Sequence, residues 1–102
     1  MEKVYENALC IELQKQGLET RQQEPIEVYY DGQVVGEYYA DLWVDDRVIV
    51  EVKAVQTLTK AHEVQLVNYL IATGVDTGLL LNFGPSVEVK RKYRKYQSKR
   101  ER

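Results

Sequence analysis

The stretch ADLWVDDRVIVEVKA, residues 40–54, decides the fold of this chain. Its second half alternates β-branched residues with others, which predicts a strand over residues 48–54 with one apolar face. The preceding Asp-Asp-Arg, residues 45–47, has the composition of a tight turn, so the residues before it belong to another strand. The stretch therefore predicts two antiparallel strands, with Glu51 and Lys53 on one face of the second.

The register of these two strands follows from the rule that directly opposed residues lie on the same face of a sheet. A turn of two residues would place Ala40 opposite Glu51 and put apolar and charged residues on the same face. A turn of three residues keeps the small apolar residues together on one face. The pairs then expected are Val44 with Val48, Leu42 with Val50, Asp41 with Glu51 and Ala40 with Val52. Two carboxylates would consequently lie side by side, with Cβ atoms about 5 Å apart.

Local signals mark the remaining elements. Asp31-Gly32 between two β-rich runs predicts a hairpin turn. Thr59 is a suitable N-cap, and Gly17 and Gly74 occupy positions that end helices. The expected elements are, in order, a helix over residues 2–16, strands over 26–30, 34–44 and 48–54, a helix over 60–73, a strand over 78–83 and an edge strand over 87–89.

The first helix is predicted to lie on the core with a broad apolar arc. The arc consists of Val4, Tyr5, Ala8, Leu9, Ile11 and Leu13. Glu12 falls inside the arc, and Glu6 lies at its edge. The simplest expectation for each of these carboxylates is a solvated or salt-bridged side chain.

The second helix carries one polar stripe among apolar residues. The stripe consists of His62, Gln65 and Tyr69. Gln65 and Tyr69 are hard to explain as packing, and His62 is a candidate general base. The strand aromatics Trp43, Tyr38 and Tyr39 are expected to serve sheet packing rather than base stacking.

Length and composition exclude several classes of protein. A chain of 102 residues with 44% hydrophobic residues is expected to fold as one domain. The single cysteine, Cys10, cannot form an internal disulfide, and no N-terminal run resembles a signal peptide. No apolar stretch approaches the roughly 20 residues that cross a bilayer. We therefore expect a cytoplasmic protein that is neither secreted nor embedded in a membrane.

Charge is distributed unevenly along the chain. Residues 90–102 contain eight basic residues and one acidic residue, whereas residues 1–89 contain six basic and fifteen acidic residues. This predicts a domain over residues 1–89 and a basic C-terminal arm over residues 90–102 that attracts nucleic-acid phosphates. The candidate nucleic-acid-binding residues are Lys90, Arg91, Lys92, Arg94 and Lys95. The alternative is a solvated tail that keeps the protein soluble.

The two facing carboxylates suggest metal chemistry. Asp41 and Glu51 repel each other unless a cation lies between them, and oxygen ligands suit Mg²⁺ or Mn²⁺. The backbone carbonyl of Val52 could add a third ligand, and Lys53 is placed to act near an attacking water. These parts suit phosphodiester cleavage, for which a metal polarises a phosphoryl oxygen and lowers the pKa of a bound water. Ordinary cross-strand ion pairing is the alternative.

Nine short segments, spread over nearly the whole chain up to Gly84, together carry a family resemblance. They are VYENAL at residues 4–9, EL at 12–13, GEY at 36–38, ADL at 40–42, VEVKA at 50–54, HEVQ at 62–65, NYL at 68–70, ATG at 72–74 and NFG at 82–84. This succession resembles the GxxExxY protein family, which is assigned to the PD-(D/E)XK nuclease superfamily. Glu2 and Tyr5 would be the Glu and the Tyr of the family name.

The resemblance implies a restriction-endonuclease-like α/β fold of the mixed α+β kind, with an αβββαβ core and a mixed β-sheet flanked by helices. It implies Asp41, Glu51 and Lys53 as the core catalytic set. Gln65 and Tyr69 match a Gln-x-x-x-Tyr element that approaches the site in many relatives. The expected metal ligands, taken together with the residue patterns above, are Asp41, Glu51, Val52 and Glu6.

The function expected on these grounds is a nuclease that hydrolyses phosphodiester bonds with Mg²⁺ or Mn²⁺, acting on nucleic acid, with DNA favoured over RNA. One alternative is a catalytically inactive nuclease-like module that binds nucleic acid or a protein partner. Another is a structural homodimer formed through the edge strand near residues 87–89, which would leave the carboxylates salt-bridged.

Overall fold

Two helices and five strands account for most of the described chain. The computed structural model describes residues 1–94. The elements are α1 Glu2–Lys15, β1 Thr20–Tyr30, β2 Gln33–Val44, β3 Val48–Lys53, α2 Lys60–Thr73, β4 Thr77–Phe83 and β5 Val87–Tyr93. The predicted element order and the mixed α+β class are confirmed. Within residues 1–94, neither helix is long and apolar enough to cross a lipid bilayer.

The five strands form one mixed sheet in the order β1-β2-β3-β4-β5. β1, β2 and β3 are successive antiparallel strands, and β5 returns antiparallel to β4. β3 and β4 are parallel, and α2 forms the crossover that a parallel pair requires. Apolar clusters lie on both faces of the sheet, one under α1 and one under α2. β3 is therefore the central strand, covered on both faces.

The predicted turns and caps are present because they depend on chemistry within a few residues. Asp31 and Gly32 have positive φ values of 53° and 77°, as a two-residue hairpin turn requires. Thr59 caps α2, since its side chain accepts a hydrogen bond from the His62 N–H. Gly74 ends α2 in the left-handed conformation, at φ 76°.

The β2–β3 ladder confirms the three-residue turn but is shorter than predicted. The paired residues are Leu42 with Val50, Trp43 with Ile49 and Val44 with Val48. The expected pairing of Ala40 with Val52 on one face is wrong, because Ala40 packs in the cluster under α2 and Val52 in the cluster under α1. Gln23, at φ 54°, is left out of the β1–β2 ladder opposite Asp41. This irregularity lets β2 change face between Leu42 and Ala40.

The face that α1 turns toward the sheet differs from the predicted arc. Its buried or partly buried residues are Tyr5, Glu6, Leu9, Cys10 and Leu13. Val4, Ala8 and Ile11, which were predicted to face the core, are exposed, and so is Glu12. Hydrophobic periodicity misplaced the face because it treats a carboxylate as solvent-facing. The buried carboxylate of Glu6 is instead satisfied by side-chain donors.

The last strand is longer than the predicted edge strand. β5 continues through Tyr93 rather than ending at Val89, so Lys90 and Lys92 pair with β4. The backbone of β4 supplies hydrogen bonds along its whole length, which offsets the weak strand preference of lysine and arginine. The first four residues of the predicted basic arm therefore belong to the sheet. Residues 95–102 of that arm lie outside the described residues.

Candidate functional site

Asp41 and Glu51 lie where the β2–β3 ladder ends, and each carboxylate is bonded to the backbone of the facing strand. The Asp41 N–H donates to Glu51 Oε2 at 2.9 Å, and the Val52 N–H donates to Asp41 Oδ2 at 2.8 Å. These two crossed bonds hold the strands together where the regular ladder has stopped. Among residues 1–94, Glu51 Oε1 accepts no hydrogen bond. The two predicted carboxylates are thus brought together with oxygen atoms left to bind a cation.

The two carboxylates are buried side by side with little compensating charge. Glu51 is only 6% exposed. Burial, reinforced by the negative charge of Asp41, raises the pKa of Glu51 to about 8. Burial also raises the pKa of Asp41, and the charge of Glu6 adds to that effect. Such a pair is unfavourable when both members are ionised and is stabilised by a nearby cation.

Lys53 follows Glu51 on the same face of β3. Its positive charge acts on both carboxylates and partly offsets the rise in the pKa of each. Within residues 1–94, no carboxylate forms an ion pair with Lys53. The ammonium group is therefore near the site, and no ion pair within residues 1–94 neutralises it.

Glu6 approaches the same end of the sheet from α1, but other side chains satisfy its carboxylate. Glu6 Oε2 accepts hydrogen bonds from Gln22 Nε2 at 2.8 Å, Gln23 Nε2 at 2.9 Å and Lys3 Nζ at 3.1 Å. Burial opposes ionisation, yet these donors outweigh it and lower the pKa of Glu6. Gln23 Nε2 also donates to Asp41 Oδ1 at 3.2 Å. Glu6 is thus joined to the carboxylate pair through one amide group.

α2 brings Tyr69 close to the carboxylates and leaves Gln65 on the surface. Tyr69 is 7% exposed, and burial followed by the charges of Glu51 and Asp41 raises its pKa to about 12. The hydroxyl is therefore protonated at neutral pH and remains a hydrogen-bond donor. Gln65 lines a surface groove together with Tyr69. Its amide forms no hydrogen bond with another residue of the described part of the chain.

His62 belongs to the cap of α2. Its Nδ1 accepts a hydrogen bond from the Thr59 N–H at 3.1 Å, and its own N–H donates to Thr59 Oγ1 at 3.4 Å. This reciprocal capping box accounts for the histidine in the polar stripe. The stripe therefore combines a structural residue with two residues that face the site or the groove.

The donor set at Asp41 and Glu51 fits a hard divalent cation. In residues 1–94, no group of three or more His, Cys, Asp or Glu side chains is arranged around one ion position. Two carboxylates are nevertheless enough for Mg²⁺, which is usually held by one or two carboxylates and keeps several water ligands. The Val52 carbonyl and the Glu6 carboxylate stay predicted ligands.

Gln23 is a site residue that sequence reasoning missed. Its amide nitrogen bridges Glu6 and Asp41, and its left-handed backbone, at φ 54°, is uncommon for a residue with a side chain. A glutamine in a strand carries no signal of this role, because both of its partners are distant in sequence.

Asn82 is a second residue whose structural role sequence reasoning did not identify. It is fully buried, its Oδ1 accepts from the Val55 N–H at 2.9 Å, and its Nδ2 donates to the Val55 carbonyl at 2.9 Å. A Cβ at Gly84 would collide with the same carbonyl oxygen. Together they fix the segment that follows Lys53. The usable signal was an Asn in an apolar run, with Gly84 two residues later.

Three of the four described basic residues from Lys90 to Arg94 have acidic partners. The pairs are Lys90 with Glu63 at 3.9 Å, Lys92 with Glu63 at 2.9 Å and Arg94 with Asp76 at 2.8 Å. Arg91 is exposed. Lys95 lies outside the described residues. The predicted nucleic-acid-binding residues are thus divided between the sheet and the following segment.

The sequence matches a family model described as PD-(D/E)XK nuclease superfamily over residues 1–95. This match concerns the superfamily, so the narrower GxxExxY assignment stays a prediction. Among curated proteins, no sequence matches the chain.

Two solved structures share the fold. The crystal structure of SSO0001 superposes with a TM-score of 0.74 and 16% identity, over 95% of this chain and 52% of that one. An alkaline exonuclease (LHK-Exo) from Laribacter hongkongensis superposes with a TM-score of 0.67 and 13% identity, over 91% of this chain and 56% of that one. The chain thus spans about half the length of each. At these identities the likeness shows the fold alone.

Proposed function

Since the chain belongs to the PD-(D/E)XK nuclease superfamily, we propose that it is a metal-dependent nuclease that hydrolyses phosphodiester bonds of nucleic acid, with DNA as the favoured substrate. The crossed pair of Asp41 and Glu51 carries this proposal. These carboxylates are fixed by the backbone of the facing strands and lie side by side, and the charge of Lys53 on the same face of β3 offsets their repulsion only in part. Packing alone gives no reason to bury such a pair.

The proposed cation is Mg²⁺ or Mn²⁺, in keeping with the divalent metals that this superfamily usually uses. Asp41 and Glu51 would hold it, with the Val52 carbonyl and Glu6 as the further proposed ligands. When bound, a divalent cation polarises a phosphoryl oxygen and lowers the pKa of water. The two backbone hydrogen bonds hold the carboxylates in place beforehand, so little reorganisation is needed when substrate arrives.

The other proposed catalytic residues act on the phosphate. The Lys53 ammonium group would stabilise the negative charge that develops on the phosphate oxygens and orient the attacking water. Tyr69 is protonated at neutral pH and would donate a hydrogen bond to a phosphate oxygen. Gln65, one turn earlier on α2, would contact the neighbouring part of the substrate.

The experiment that tests the proposal is cleavage of single- and double-stranded DNA and RNA in Mg²⁺, Mn²⁺ or EDTA. The natural chain is compared with Glu51→Ala and Lys53→Ala. Glu37→Ala and Lys15→Ala are matched controls, because both residues are exposed and lie in β2 and α1. We expect metal-dependent cleavage that is lost in the first two variants and kept in the controls.

Failure to cleave any substrate would contradict the proposed function. If no substrate is cut with any metal, and calorimetry detects no Mn²⁺ binding that depends on Asp41 or Glu51, the chain is not a metal-dependent nuclease. An inactive nuclease-like module would then be the better description.

The basic residues Lys90, Arg91, Lys92, Arg94 and Lys95 are proposed to add phosphate contacts. Truncation after Val89 would remove half of β5, so the informative truncation follows Arg94 and removes only residues 95–102. We expect this truncated chain to bind DNA more weakly and with a smaller dependence on salt. Unchanged binding and salt dependence would show that this segment does not contact the phosphates.

A further inference from the structure

A groove of about 1010 Å³ lies between the β1–β2 hairpin and α2. β2 pairs with β3 only through residues 42–44, so the hairpin projects beyond the central sheet. α2 packs along one side of this projection and leaves a space between them. The residues that line the groove include Tyr29, Val35, Tyr38, Val64, Gln65 and Asn68.

The lining combines exposed aromatic and aliphatic surface with hydrogen-bonding amides. Tyr38 and Tyr29 are 45% and 59% exposed, although Tyr38 was expected to serve sheet packing. Gln65 and Asn68 are exposed on α2, and neither amide forms a hydrogen bond within residues 1–94. A planar ring with polar edges can use both kinds of surface at once, by stacking on an aromatic face and bonding to an amide.

Tyr69 is the residue that links the groove to the proposed catalytic site. Tyr69 lines the groove, and the charges of Glu51 and Asp41 act on its hydroxyl. The Tyr38 and Tyr69 rings lie 5.8 Å apart between centroids. A nucleotide strand whose phosphate lies at the carboxylates would therefore have a neighbouring base within reach of Tyr38.

Charge favours an unpaired base over a duplex in this groove. Among residues 1–94, the only basic residue of its lining is Lys60, and Glu27 also lines it and accepts a hydrogen bond from the Tyr29 hydroxyl at 2.6 Å. A duplex is bound mainly through neutralised phosphates, which this nearly neutral lining does not provide. Base stacking on aromatic side chains requires no positive surface.

We propose that this groove binds an unpaired nucleobase, so that the substrate of the site is single-stranded nucleic acid or the single-stranded part of a longer molecule. This inference rests on the proposed nuclease function, because it assigns the substrate class of the same site. Tyr38 supplies the stacking face, and Gln65 and Asn68 supply contacts to the edge of the base.

The test measures binding of oligonucleotides to the full chain in EDTA, where metal-dependent cleavage is absent. The probes are a fluorescein-labelled single strand, its duplex, and a single strand with one 2-aminopurine, whose fluorescence falls when it stacks. Tyr38→Ala is compared with Tyr39→Ala. Tyr39 is the matched control because it is adjacent, is 48% exposed and does not line the groove.

We expect the natural chain to bind the single strand more tightly than the duplex. Tyr38→Ala should weaken single-strand binding about fivefold or more, which is the lower end of a lost base–aromatic contact, and should abolish the quenching of 2-aminopurine. Tyr39→Ala should change binding less than about twofold. The ratio between natural chain and Tyr38→Ala should be the same at low and moderate salt, because stacking is not a phosphate contact.

Three results would overturn this inference: equal or tighter binding of the duplex, equal losses from the two tyrosine variants, or no single-strand binding by the natural chain. A loss of self-association in Tyr38→Ala, without a change in oligonucleotide binding, would instead assign the groove to a second copy of the chain. Metal-dependent cleavage that is lost in Glu51→Ala can persist in any of these cases. The proposed nuclease function and this inference therefore fail independently.

Discussion

Glu6 and Glu51 are buried to nearly the same degree, at 4% and 6% exposure, yet their pKa values move in opposite directions. Glu6 accepts three side-chain hydrogen bonds on one oxygen, and its pKa is lowered. Glu51 accepts one backbone hydrogen bond and lies beside Asp41, and its pKa is raised to about 8. Burial alone therefore does not decide whether a carboxylate is ionised.

The difference separates a carboxylate that the protein satisfies by itself from one that it leaves unsatisfied. The amides and the ammonium group around Glu6 replace the water lost on burial. Around Glu51 the second carboxylate makes ionisation harder, Lys53 offsets this only in part, and an added cation or a proton would relieve the remaining repulsion. This contrast is the reason for proposing Glu51 and Asp41 as the main metal ligands. Glu6 is the weaker of the proposed carboxylate ligands.

The largest expected difference between the two carboxylates is in catalysis. Glu51→Gln should lower metal-dependent cleavage by about 100-fold or more, in line with the loss of a group that acts directly on the reacting charge. Glu6→Gln should lower cleavage less than about tenfold, because three side-chain donors already occupy Glu6 Oε2 and make Glu6 the weaker of the proposed ligands. Initial rates in saturating Mg²⁺ measure both losses. Equal losses would contradict this ranking and mean that Glu6 contributes as much to metal binding as Glu51.

The same two substitutions should change stability with opposite signs in the metal-free protein. Glu51→Gln keeps an oxygen that can accept the Asp41 N–H and removes the repulsion, so the free energy of unfolding should rise by on the order of 2 kcal/mol at pH 8. Glu6→Gln places an amide against existing hydrogen-bond donors and should lower the free energy of unfolding by about 1–2 kcal/mol. Urea unfolding in EDTA tests this. Destabilisation by both would show that Asp41 and Glu51 do not repel each other.

The dependence of stability on pH should also distinguish the two residues. Glu51 has a pKa near 4.5 when unfolded and about 8 when folded, so the folded state binds its proton more tightly between these values. The free energy of unfolding of the metal-free chain should therefore fall as pH rises from 5 to 8. Glu6 has the opposite sign, since its stabilising contribution is lost as pH falls through its lowered pKa.

Thermal unfolding in EDTA across this pH range measures the effect. Glu51→Gln should reduce the decline above pH 5, leaving the part that comes from the raised pKa of Asp41, and Glu6→Gln should keep the contribution of Glu51. A natural chain whose stability rises steadily from pH 5 to 8 would contradict the raised pKa of Glu51.

The smallest expected effect concerns the Gln23 amide, which joins Glu6 to Asp41. Gln23→Ala removes the donor shared by Glu6 and Asp41 and should lower the free energy of unfolding by about 1 kcal/mol. Cleavage should fall only a few-fold, because both carboxylates proposed to hold the metal remain. Gln33→Ala, an exposed substitution at the hairpin, is the control. An unchanged stability in Gln23→Ala would mean that water replaces its amide without cost.

Sequence reasoning predicted the features that local chemistry controls. The hairpin turn at Asp31-Gly32 and the cap at Thr59 need only residues within a few positions, and both are present. The three-residue turn followed from alternation, because only one register keeps small apolar residues on one face. The register predicted Asp41 directly opposite Glu51, but the ladder ends at Leu42 and Val50, and two crossed side-chain-to-backbone hydrogen bonds join the strands there instead.

The same reasoning could not predict contacts between residues that are distant in sequence. The buried face of α1 was misassigned because two of the three donors that satisfy Glu6, Gln22 and Gln23, lie on β1, sixteen and seventeen residues away. The face of Ala40 was misassigned because the irregular backbone at Gln23 belongs to the neighbouring strand. The longer β5 depended on an open edge of β4 that no local pattern reveals.

The sequence by itself determined the order of the elements, the turn between β2 and β3 and the facing carboxylates, because turn chemistry, capping and alternation act over a few residues. Only the tertiary structure decided how each carboxylate is compensated, since the donors around Glu6 and the open oxygen of Glu51 depend on packing between α1, β1 and β3. It also created the groove beside Tyr38. That groove exists because a projecting hairpin and a crossover helix, distant in sequence, lie against each other.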